Sequence, residues 1–337
     1  PWAEIGVVTD TGQMVVRHGG KVVVDVPAKK LTEEAPVYQR ESKEAAYMEG
    51  VRAFRLDGIA DSQSPMADLK ALLANHSIAS KNWVYRQYDH MVRDGSVVCP
   101  GSDAAVIRIK GDSLPITKAE YAAKQAGQPI PASAPIPDKY VAFTCDCNGA
   151  YVYLDPYEGG KAAIAEACRN LACSGASPLG ATDNLNFGNP HYPEIFWQLK
   201  ESVRGLAEGC RAFNAPVTGG NVSLYNQRGA LGAIDPTPTV AVVGLIEKPE
   251  HITTAWFKDE GDAIILLGAP VDTADPLQGL GGSALLLTLH GKKTGLPPRV
   301  DLEVAQTLHS TLLGLIYTGA VKGAHDCSEG GLAVCLA

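Results

Sequence analysis

The residues best suited to chemistry lie directly after a glycine pair, in the run Gly219-Gly220-Asn221-Val222-Ser223. Two glycines let a ligand approach the backbone closely, and in an extended segment alternate residues share a face. Asn221 and Ser223 are therefore expected on one face, where they could offer an amide oxygen to a metal ion and a hydroxyl to a phosphate. A Gly-Gly turn that enters a strand with ordinary polar residues is the alternative, and the local sequence leaves both interpretations open.

A second polar group follows a predicted short strand at residues 179–182. Asp183, Asn184 and Asn186 would lie at the end of that strand, and strand ends in α/β sheets are where ligands collect. One carboxylate with two amides can bind a hard cation or a ribose. Because Asp, Asn and Gly also dominate turns for local reasons, an ordinary turn is the alternative.

Two further groups carry carboxylates. Asp155 precedes Gly159-Gly160, which we predict to open a helix, so a phosphate at the helix N-terminus with a metal ion on Asp155 is one interpretation and an exposed Asp-Pro turn is the other. His325-Asp326 precedes the last predicted helix. Neighbours in sequence rarely face each other and no Gly-x-Ser-x-Gly run occurs, so a catalytic triad is not indicated. Asp326 or Ser328 could instead cap that helix.

Composition and missing motifs narrow the function classes. A net charge of −8 without a Lys/Arg run argues against a nucleic-acid or anionic membrane surface. No apolar run reaches the ~18 residues that a membrane span needs. Eight cysteines without a Cys-x-x-Cys pair indicate reduced thiols and a cytoplasmic protein. Neither a Walker loop nor a Gly-x-Gly-x-x-Gly run occurs, so a bound nucleotide would use another kind of loop.

The elements that must position these residues alternate between strands and helices, which predicts an α/β or α+β fold. We predict strands at residues 104–109, 140–145, 239–246 and 262–267, and helices after Gly159-Gly160, from Pro193 and over 302–316. Residues 5–9 and 22–26 suggest a hairpin, and 112–138 a proline-rich surface excursion. The apolar run at 330–337 carries no stop signal, so we expect a piece of a longer polypeptide.

Six motifs in one order resemble the phosphoribosylformylglycinamidine synthase family, in the C-terminal half of its small PurL type. They lie at residues 179–188, 194–197, 219–226, 236–244, 280–283 and 325–333. The resemblance runs from about residue 84 to 337 and implies PurM-like domains, similar to aminoimidazole ribonucleotide synthetase. It implies the end of a preceding PurM-like C-terminal domain at 1–28, a linker at 29–75, a second PurM-like N-terminal (A) domain at 76–250 and a truncated second C-terminal (B) domain at 251–337.

The resemblance also implies an ATP-dependent carbon–nitrogen ligase of purine biosynthesis. Such enzymes convert formylglycinamide ribonucleotide, ATP and glutamine-derived ammonia to formylglycinamidine ribonucleotide, ADP and phosphate through an iminophosphate. ATP and Mg²⁺ are therefore the expected cofactors. The expected partners are the N-terminal half of the same polypeptide, a glutaminase subunit and a small PurS-like subunit. Because the reaction is a phosphoryl transfer, the protein mainly positions groups and neutralises charge.

Carried over residue by residue, the resemblance assigns ATP contacts to Asp183 and Gly220, a magnesium ligand to Asn221 and a substrate contact to Ser223. It places the family's catalytic histidines in the N-terminal half, and no histidine stands in the corresponding stretch here, residues 144–148. Asp155 and Asp326 would form an auxiliary nucleotide or metal site. This chain alone is therefore expected to be inactive.

Two alternatives remain. The chain could be a non-catalytic, nucleotide-binding scaffold half of that enzyme, because the histidines are absent. It could also be another member of the superfamily, such as a selenophosphate synthetase or a thiamine-phosphate kinase. Those proteins lack the run that begins at Thr182 and ends at Gly188, so this alternative ranks last.

Overall fold

The computed structural model describes residues 2–60, 62, 64–111, 118–129, 136–229, 232–268 and 274–337. The chain divides into two compact units, Pro1–Glu41 and Ser42–Ala337. Two parts of the predicted proline-rich excursion, residues 112–117 and 130–135, lie outside the described residues, and a helix forms between them. Each unit is described below by itself.

The first unit is an antiparallel hairpin followed by one helical turn. Its strands β1 (Gln13–His18) and β2 (Lys21–Pro27) pair across Gly19-Gly20, whose φ angles are 55° and 77°, and α1 (Ala28–Leu31) follows. Two successive positive φ angles suit a two-residue hairpin turn, and glycine adopts them without strain. The strand predicted at 22–26 is confirmed. The strand predicted at 5–9 is wrong, because the glycine pair sets the turn and the chain just before it becomes β1.

A mixed sheet of six strands forms the centre of the second unit. The strands are β3 (Ser96–Val98), β4 (Ala105–Ile109), β5 (Lys139–Phe143), β6 (Ser177–Asn186), β7 (Val217–Ser223) and β8 (Thr237–Ile246). Their order across the sheet is β3-β4-β5-β8-β6-β7. All neighbouring pairs are antiparallel except β6 and β7, which are parallel. The strands predicted at 104–109, 140–145 and 239–246 are confirmed as β4, β5 and β8.

Ten helices accompany the sheet in the described part of the second unit. They are α2 (Met48–Ala53), α3 (Pro65–Ala74), α4 (Asn82–Tyr85), α5 (Lys118–Gln125), α6 (Gly149–Leu154), α7 (Pro156–Cys173), α8 (Pro193–Ala212), α9 (Ala284–His290), α10 (Leu302–Tyr317) and α11 (Gly331–Leu336). The helices α2 and α3 lie within the stretch predicted as a linker. Over the described ranges, none of the helices combines the length and the apolar character that a membrane crossing needs.

The two longest helices, α7 and α8, approach each other closely and cover one face of the sheet. A Cβ at Gly160 would lie 2.4 Å from the Ser202 carbonyl oxygen, and one at Gly205 would lie 2.0 Å from the Tyr157 carbonyl oxygen. Only glycine fits at such separations. Beneath the helices, the sheet and both helices form one apolar core. Its members include Val106, Ala142, Val240, Val242, Ile246, Ile164, Ala167, Leu171, Leu206 and Cys210.

The opposite face of the sheet is open in the described structure. On β8 the residues at even positions from 238 to 246 are buried, whereas those at odd positions are only partly covered. Ile107, Ile109 and Phe143 lie on this open face and are 39%, 38% and 40% exposed. The sheet therefore has a covered face toward α7 and α8 and an uncovered face that is apolar over β4 and β5.

The remainder of the second unit contains one wrong prediction. Residues 262–267 form no strand, and Ile264, Ile265 and Leu266 are 68%, 78% and 69% exposed. An apolar β-branched run becomes a strand only where a neighbouring strand accepts its backbone hydrogen bonds, and within the described residues this run has no such neighbour. The helix predicted over 302–316 is confirmed as α10, and the Asp301 carboxylate caps it by accepting from the Glu303 and Val304 N–H groups.

Candidate functional site

The parallel pair β6–β7 brings together the polar residues that the sequence singles out. Asp183 lies opposite Gly220, Asn184 opposite Asn221, and Asn186 opposite Ser223. The strand predicted at 179–182 is longer than expected, since β6 extends from Ser177 to Asn186. Asp183, Asn184 and Asn186 are therefore inside the strand rather than beyond its end, because β7 and β8 pair with it along this whole segment.

These residues divide between the two faces of the sheet. Asp183 lies between Ala181 and Leu185 at alternate positions, and both neighbours are buried in the core beneath the helices. Asp183 and Gly220 thus share the helix-covered face. Asn221 and Ser223 share the open face, as predicted, with Asn184 and Asn186 beside them. Asp183 and Gly220 therefore form one pair on the covered face, and Asn221 and Ser223 form a second pair on the open face.

On the open face, the amides and hydroxyls form a hydrogen-bonded group that we call the polar row: Asn184, Asn186, Asn221 and Ser223. The Asn221 Nδ2 donates to Asn184 Oδ1 at 3.2 Å and to Ser223 Oγ at 3.0 Å. The Asn186 Nδ2 donates to the carbonyl oxygens of Asn184 at 2.8 Å and Thr237 at 3.2 Å. Since Asn221 uses its nitrogen for both bonds, its Oδ1 is left to accept from, or coordinate, an incoming group.

On the covered face, the Asp183 carboxylate lies in the space beside Gly220, which has no side chain. A Cβ at Gly220 would lie 2.2 Å from Asp183 Oδ1, which no side chain can occupy. Burial raises the pKa of Asp183 above its ordinary value. The carboxylate lies beside Gly220 of the edge strand β7, where it could accept hydrogen bonds from a ligand.

Asp155 does not occupy the site predicted for it. It is the N-cap of α7, and its Oδ1 accepts from the Glu158 N–H at 3.1 Å. The helix begins at Pro156, so Gly159-Gly160 lies inside it rather than at its start, and the Gly159 N–H donates to the Asp155 carbonyl oxygen at 2.8 Å. The prediction that the glycines open the helix is wrong, because the Asp-Pro pair supplies a better start: a capping carboxylate and a fixed φ.

Asp326 lies far from Asp155. Its Oδ2 accepts from Arg169 Nη2 at 2.9 Å and from Nε at 3.2 Å. Arg169 lies 14 residues after Asp155 on α7, which is about 20 Å at 1.5 Å per residue. The two carboxylates therefore do not form one site. Asp326 does not cap α11 either, since Gly330 precedes that helix without a side-chain cap.

Asp326 belongs instead to a group of four carboxylates that we call the acidic cluster: Asp103, Asp146, Glu166 and Asp326. Asp103 Oδ1 accepts from the Asp326 N–H at 3.0 Å and lies 3.0 Å from His325 Nδ1. Arg169 lies between Asp326 and Glu166, whose Oε1 is 3.9 Å from Arg169 Nη2. Of these four residues the sequence analysis named only Asp326 as a site residue, because the others lie in separate segments that only the fold brings together.

Two members of the acidic cluster, Asp146 and Glu166, have raised pKa values. Burial raises the pKa of Asp146 to about 6 and that of Glu166 to about 7, and the neighbouring carboxylates add to both effects. The Asn170 Nδ2 donates to Asp146 Oδ1 at 2.8 Å. Asp146 Oδ2, Asp103 Oδ2 and Asn170 Oδ1 are buried and accept no hydrogen bond from the described residues. Buried carboxylate and amide oxygens that accept no hydrogen bond are suitable ligands for a hard divalent cation.

Two family models match the chain. The N-terminal domain of AIR synthase related protein matches residues 101–246, and the C-terminal domain of AIR synthase related protein matches residues 259–337. The first match contains the whole β6–β7 pair, and the second contains Asp326. The expected α/β (α+β) class with PurM-like N- and C-terminal domains is thereby confirmed.

Individual proteins are also similar to this chain. The chain is 47% identical over 332 residues to phosphoribosylformylglycinamidine synthase subunit PurL from Thermosynechococcus vestitus, covering 96% of this chain and 40% of the relative. The structure of PurLQS from Thermotoga maritima matches with a TM-score of 0.50 and 23% identity, over 73% of this chain and 33% of that chain. This second likeness shows a shared fold. The chain thus spans less than half the length of each of these two relatives.

Proposed function

This chain belongs to the AIR synthase related proteins, and on that premise we propose that it forms the C-terminal half of a phosphoribosylformylglycinamidine synthase. That enzyme would be an ATP-dependent carbon–nitrogen ligase that converts formylglycinamide ribonucleotide, ATP and glutamine-derived ammonia to formylglycinamidine ribonucleotide, ADP and phosphate. The observation that carries the proposal is the β6–β7 pair, with its polar row, in a chain 47% identical to a PurL subunit.

The polar row suits the recognition of a phosphorylated substrate. Asn221 presents its Oδ1 outward because two acceptors hold its nitrogen, and the Ser223 hydroxyl lies beside it at 3.0 Å. We assign the substrate contact to Ser223 and the ATP contacts to Asp183 and Gly220. The chain supplies no histidine at residues 144–148, so its share of the phosphoryl transfer would be binding and orientation.

The ligand atoms that the polar row offers determine how it could bind Mg²⁺. Bound Mg²⁺ would neutralise the charge of the transferring phosphate. The polar row contains only neutral donors, whereas Mg²⁺ sites usually include one or two carboxylates or phosphates. Asn221 would therefore contribute one ligand to a metal ion whose charged ligands come from the nucleotide phosphates or from another part of the polypeptide.

The open face of the sheet supports the proposal that another part of the polypeptide binds there. Ile107, Ile109 and Phe143 leave an apolar surface uncovered on the same face as the polar row, with β8 between them. We propose that the N-terminal half of the same polypeptide covers this face and supplies the catalytic histidines. A glutaminase subunit would deliver the ammonia, with a small PurS-like subunit as the further partner. All eight cysteines are free thiols, which supports a cytoplasmic enzyme.

The acidic cluster supports an auxiliary nucleotide site. We place its cation in the acidic cluster, because Asp103 Oδ2 and Asp146 Oδ2 are buried without a hydrogen-bond partner in the described residues, and ligand atoms of Asp103, His325 and Asp326 lie within 4.8 Å of one another. Asp155, which was expected to share this site, serves instead as a helix cap. A pocket lined by His325, Asp326 and Glu329 adjoins the cluster and could admit the phosphates of a nucleotide.

Reconstitution tests the proposed activity. The chain is combined with the remaining part of a PurL polypeptide, and ADP formation is measured with formylglycinamide ribonucleotide and ammonium. We expect turnover only when both parts and the substrate are present, and none from this chain alone. Robust turnover by this chain alone would contradict the expected division of the site between two halves.

A scaffold role is the alternative function, and the absence of histidine at residues 144–148 favours it. In that case this half binds nucleotide only at the acidic cluster and packs against the other half. Variants in the polar row would then leave turnover unchanged, whereas variants in the acidic cluster would lower the thermal stability gained from nucleotide and Mg²⁺.

A further inference from the structure

Tyr225 has a backbone conformation that a bulky residue seldom adopts. Its φ angle is 62°, in the left-handed region. The other non-glycine residues with positive φ in the described part of the chain are Arg93, Asp94, Asn214 and Gln278, so Tyr225 is the aromatic residue among them. A residue with a β-carbon is strained in this region, and tyrosine lacks the short polar side chain with which asparagine or aspartate relieves that strain.

Hydrogen bonds on both sides of Tyr225 hold it in this conformation. Its own N–H donates to the Gly188 carbonyl oxygen at 3.1 Å. The next residue, Asn226, donates from its N–H to the Phe187 carbonyl oxygen at 3.1 Å and from Nδ2 to the Ser223 carbonyl oxygen at 2.8 Å. Strained conformations persist where the surrounding structure fixes them in this way, and they are concentrated at functional sites.

The Tyr225 side chain gains little burial that would offset this strain. It is 57% exposed, and its ring centroid lies 6.3 Å from that of His191, which is also exposed. Glycine would adopt the same φ without strain and would sacrifice little buried area. The fold alone therefore does not explain a tyrosine at this position, whereas a contact with a ligand would.

Tyr225 lies at one end of the polar row. Ser223, the last residue of β7, is two positions before it, which is about 7 Å along an extended chain. The Ser223 Oγ accepts from Asn221 Nδ2, so its hydroxyl hydrogen remains available to donate. The Tyr225 hydroxyl is a second donor. Because the oxygens of an ionised phosphate are strong acceptors, two neighbouring hydroxyl donors suit a phosphate group.

We propose that Tyr225 contacts the substrate of the proposed reaction by donating its hydroxyl hydrogen to the phosphate of the ribonucleotide, beside Ser223. This inference rests on the proposed function, because it assigns one end of the polar row to the phosphate of that substrate. Asn221 Oδ1, further along the row, stays available to a metal ion. Tyr225 takes no part in the bond changes, so loss of its hydroxyl weakens substrate binding and leaves the chemical step unchanged.

Kinetics of the reconstituted enzyme test the proposal. Tyr225→Phe removes only the hydroxyl, and we expect KM for formylglycinamide ribonucleotide to rise about tenfold or more while kcat changes less than about twofold. Tyr88→Phe removes the hydroxyl of a tyrosine that is 69% exposed elsewhere, and this matched control should behave like the unaltered enzyme. An unchanged KM in Tyr225→Phe, or a fall in kcat alone, would overturn the inference.

Tyr225→Gly separates a ligand contact from a structural role. Because glycine relieves the strain, the Tm of this chain should stay the same or rise, while KM of the reconstituted enzyme should rise at least as much as in Tyr225→Phe. A lower Tm would show that the tyrosine serves the fold, and the inference would be wrong. It would also be wrong if KM stayed constant and more of the N-terminal half were needed for half-maximal turnover, since Tyr225 would then contact that half.

The inference and the proposed function fail in different ways. If the reconstituted unaltered enzyme shows no turnover, the proposed function is refuted, and this inference is refuted with it. If the unaltered enzyme turns over and Tyr225→Phe has the same KM, only the inference about Tyr225 is refuted.

Discussion

Asp183 and Gly220 are register partners across the parallel pair β6–β7, and the carboxylate occupies the space that a side chain at position 220 would need. A Cβ there would lie 2.2 Å from Asp183 Oδ1 and 2.9 Å from the Asp183 carbonyl oxygen. A side chain at position 220 would therefore force Asp183 to move. Its neighbour Gly219 has open space where a Cβ would stand.

Gly220→Ala should therefore destabilise the protein, by about 1–3 kcal/mol in the free energy of unfolding, because the added methyl overlaps Asp183. Gly219→Ala is the matched control and should change stability little. Urea denaturation of the three proteins measures the difference. Equal midpoints for the two variants would show that Asp183 does not hold the position described.

Glu166→Gln should make the protein more stable at pH 8. Burial raises the pKa of Glu166 from 4.5 to about 7 in the folded state, so its ionised form opposes folding above pH 7 and this penalty vanishes below about pH 4.5. The shift corresponds to about 3 kcal/mol. The gain from the substitution should be largest at pH 8 and absent at pH 4.5. Glu247→Gln, at an exposed position, should show no such trend.

His309 should give a pH dependence of the opposite sign. It is buried and stacked on Phe213 at 5.0 Å, and burial lowers its pKa from 6.5 to about 4. Because the folded state resists protonation, stability falls as the pH drops from about 6.5 toward 4, by about 3 kcal/mol in total. His309→Phe should lose less stability over this range than the unaltered chain. His76→Phe, at an exposed position, serves as the control, and parallel curves for both variants would contradict the assignment.

Divalent cations should stabilise the chain more at pH 8 than at pH 6. Protons on Asp146 and Glu166, with pKa values of about 6 and 7, compete with a cation for the same oxygens. Thermal unfolding with and without MgCl₂, at matched ionic strength, measures the effect. Asp146→Asn should reduce the shift in Tm at pH 8. A shift independent of pH, or unchanged in the variant, would place the cation elsewhere.

Part of the sheet could be predicted from sequence, because short apolar runs mark β4, β5 and β8 directly. The strand predicted at 262–267 is wrong for a physical reason. An apolar β-branched run does not show whether a neighbouring strand is available to pair with it. The strand predicted at 5–9 is wrong because the turn at Gly19-Gly20 makes residues 13–18 the partner of β2.

The candidate site was predicted in part. Alternation placed Asn221 and Ser223 on one face, since that rule needs only an extended backbone. The same rule places Gly220 on the other face, but it does not show that Asp183 lies beside Gly220, because this depends on the register between β6 and β7. The acidic cluster draws Asp103, Asp146, Glu166 and Asp326 from four separate segments, so only the fold brings them together.

The central claim is that the polar row of this chain contributes to an amidine synthase. The most direct measurement is the rate of ADP formation, dependent on formylglycinamide ribonucleotide, by the reconstituted enzyme that carries Asn221→Ala. Asn82→Ala, which removes an exposed amide on α4, is the matched control. We predict that Asn221→Ala lowers turnover at least about tenfold, as expected for a lost contact worth about 1.4 kcal/mol in the transition state, while the control keeps full activity. Equal turnover in the two variants would contradict the account and favour the scaffold role.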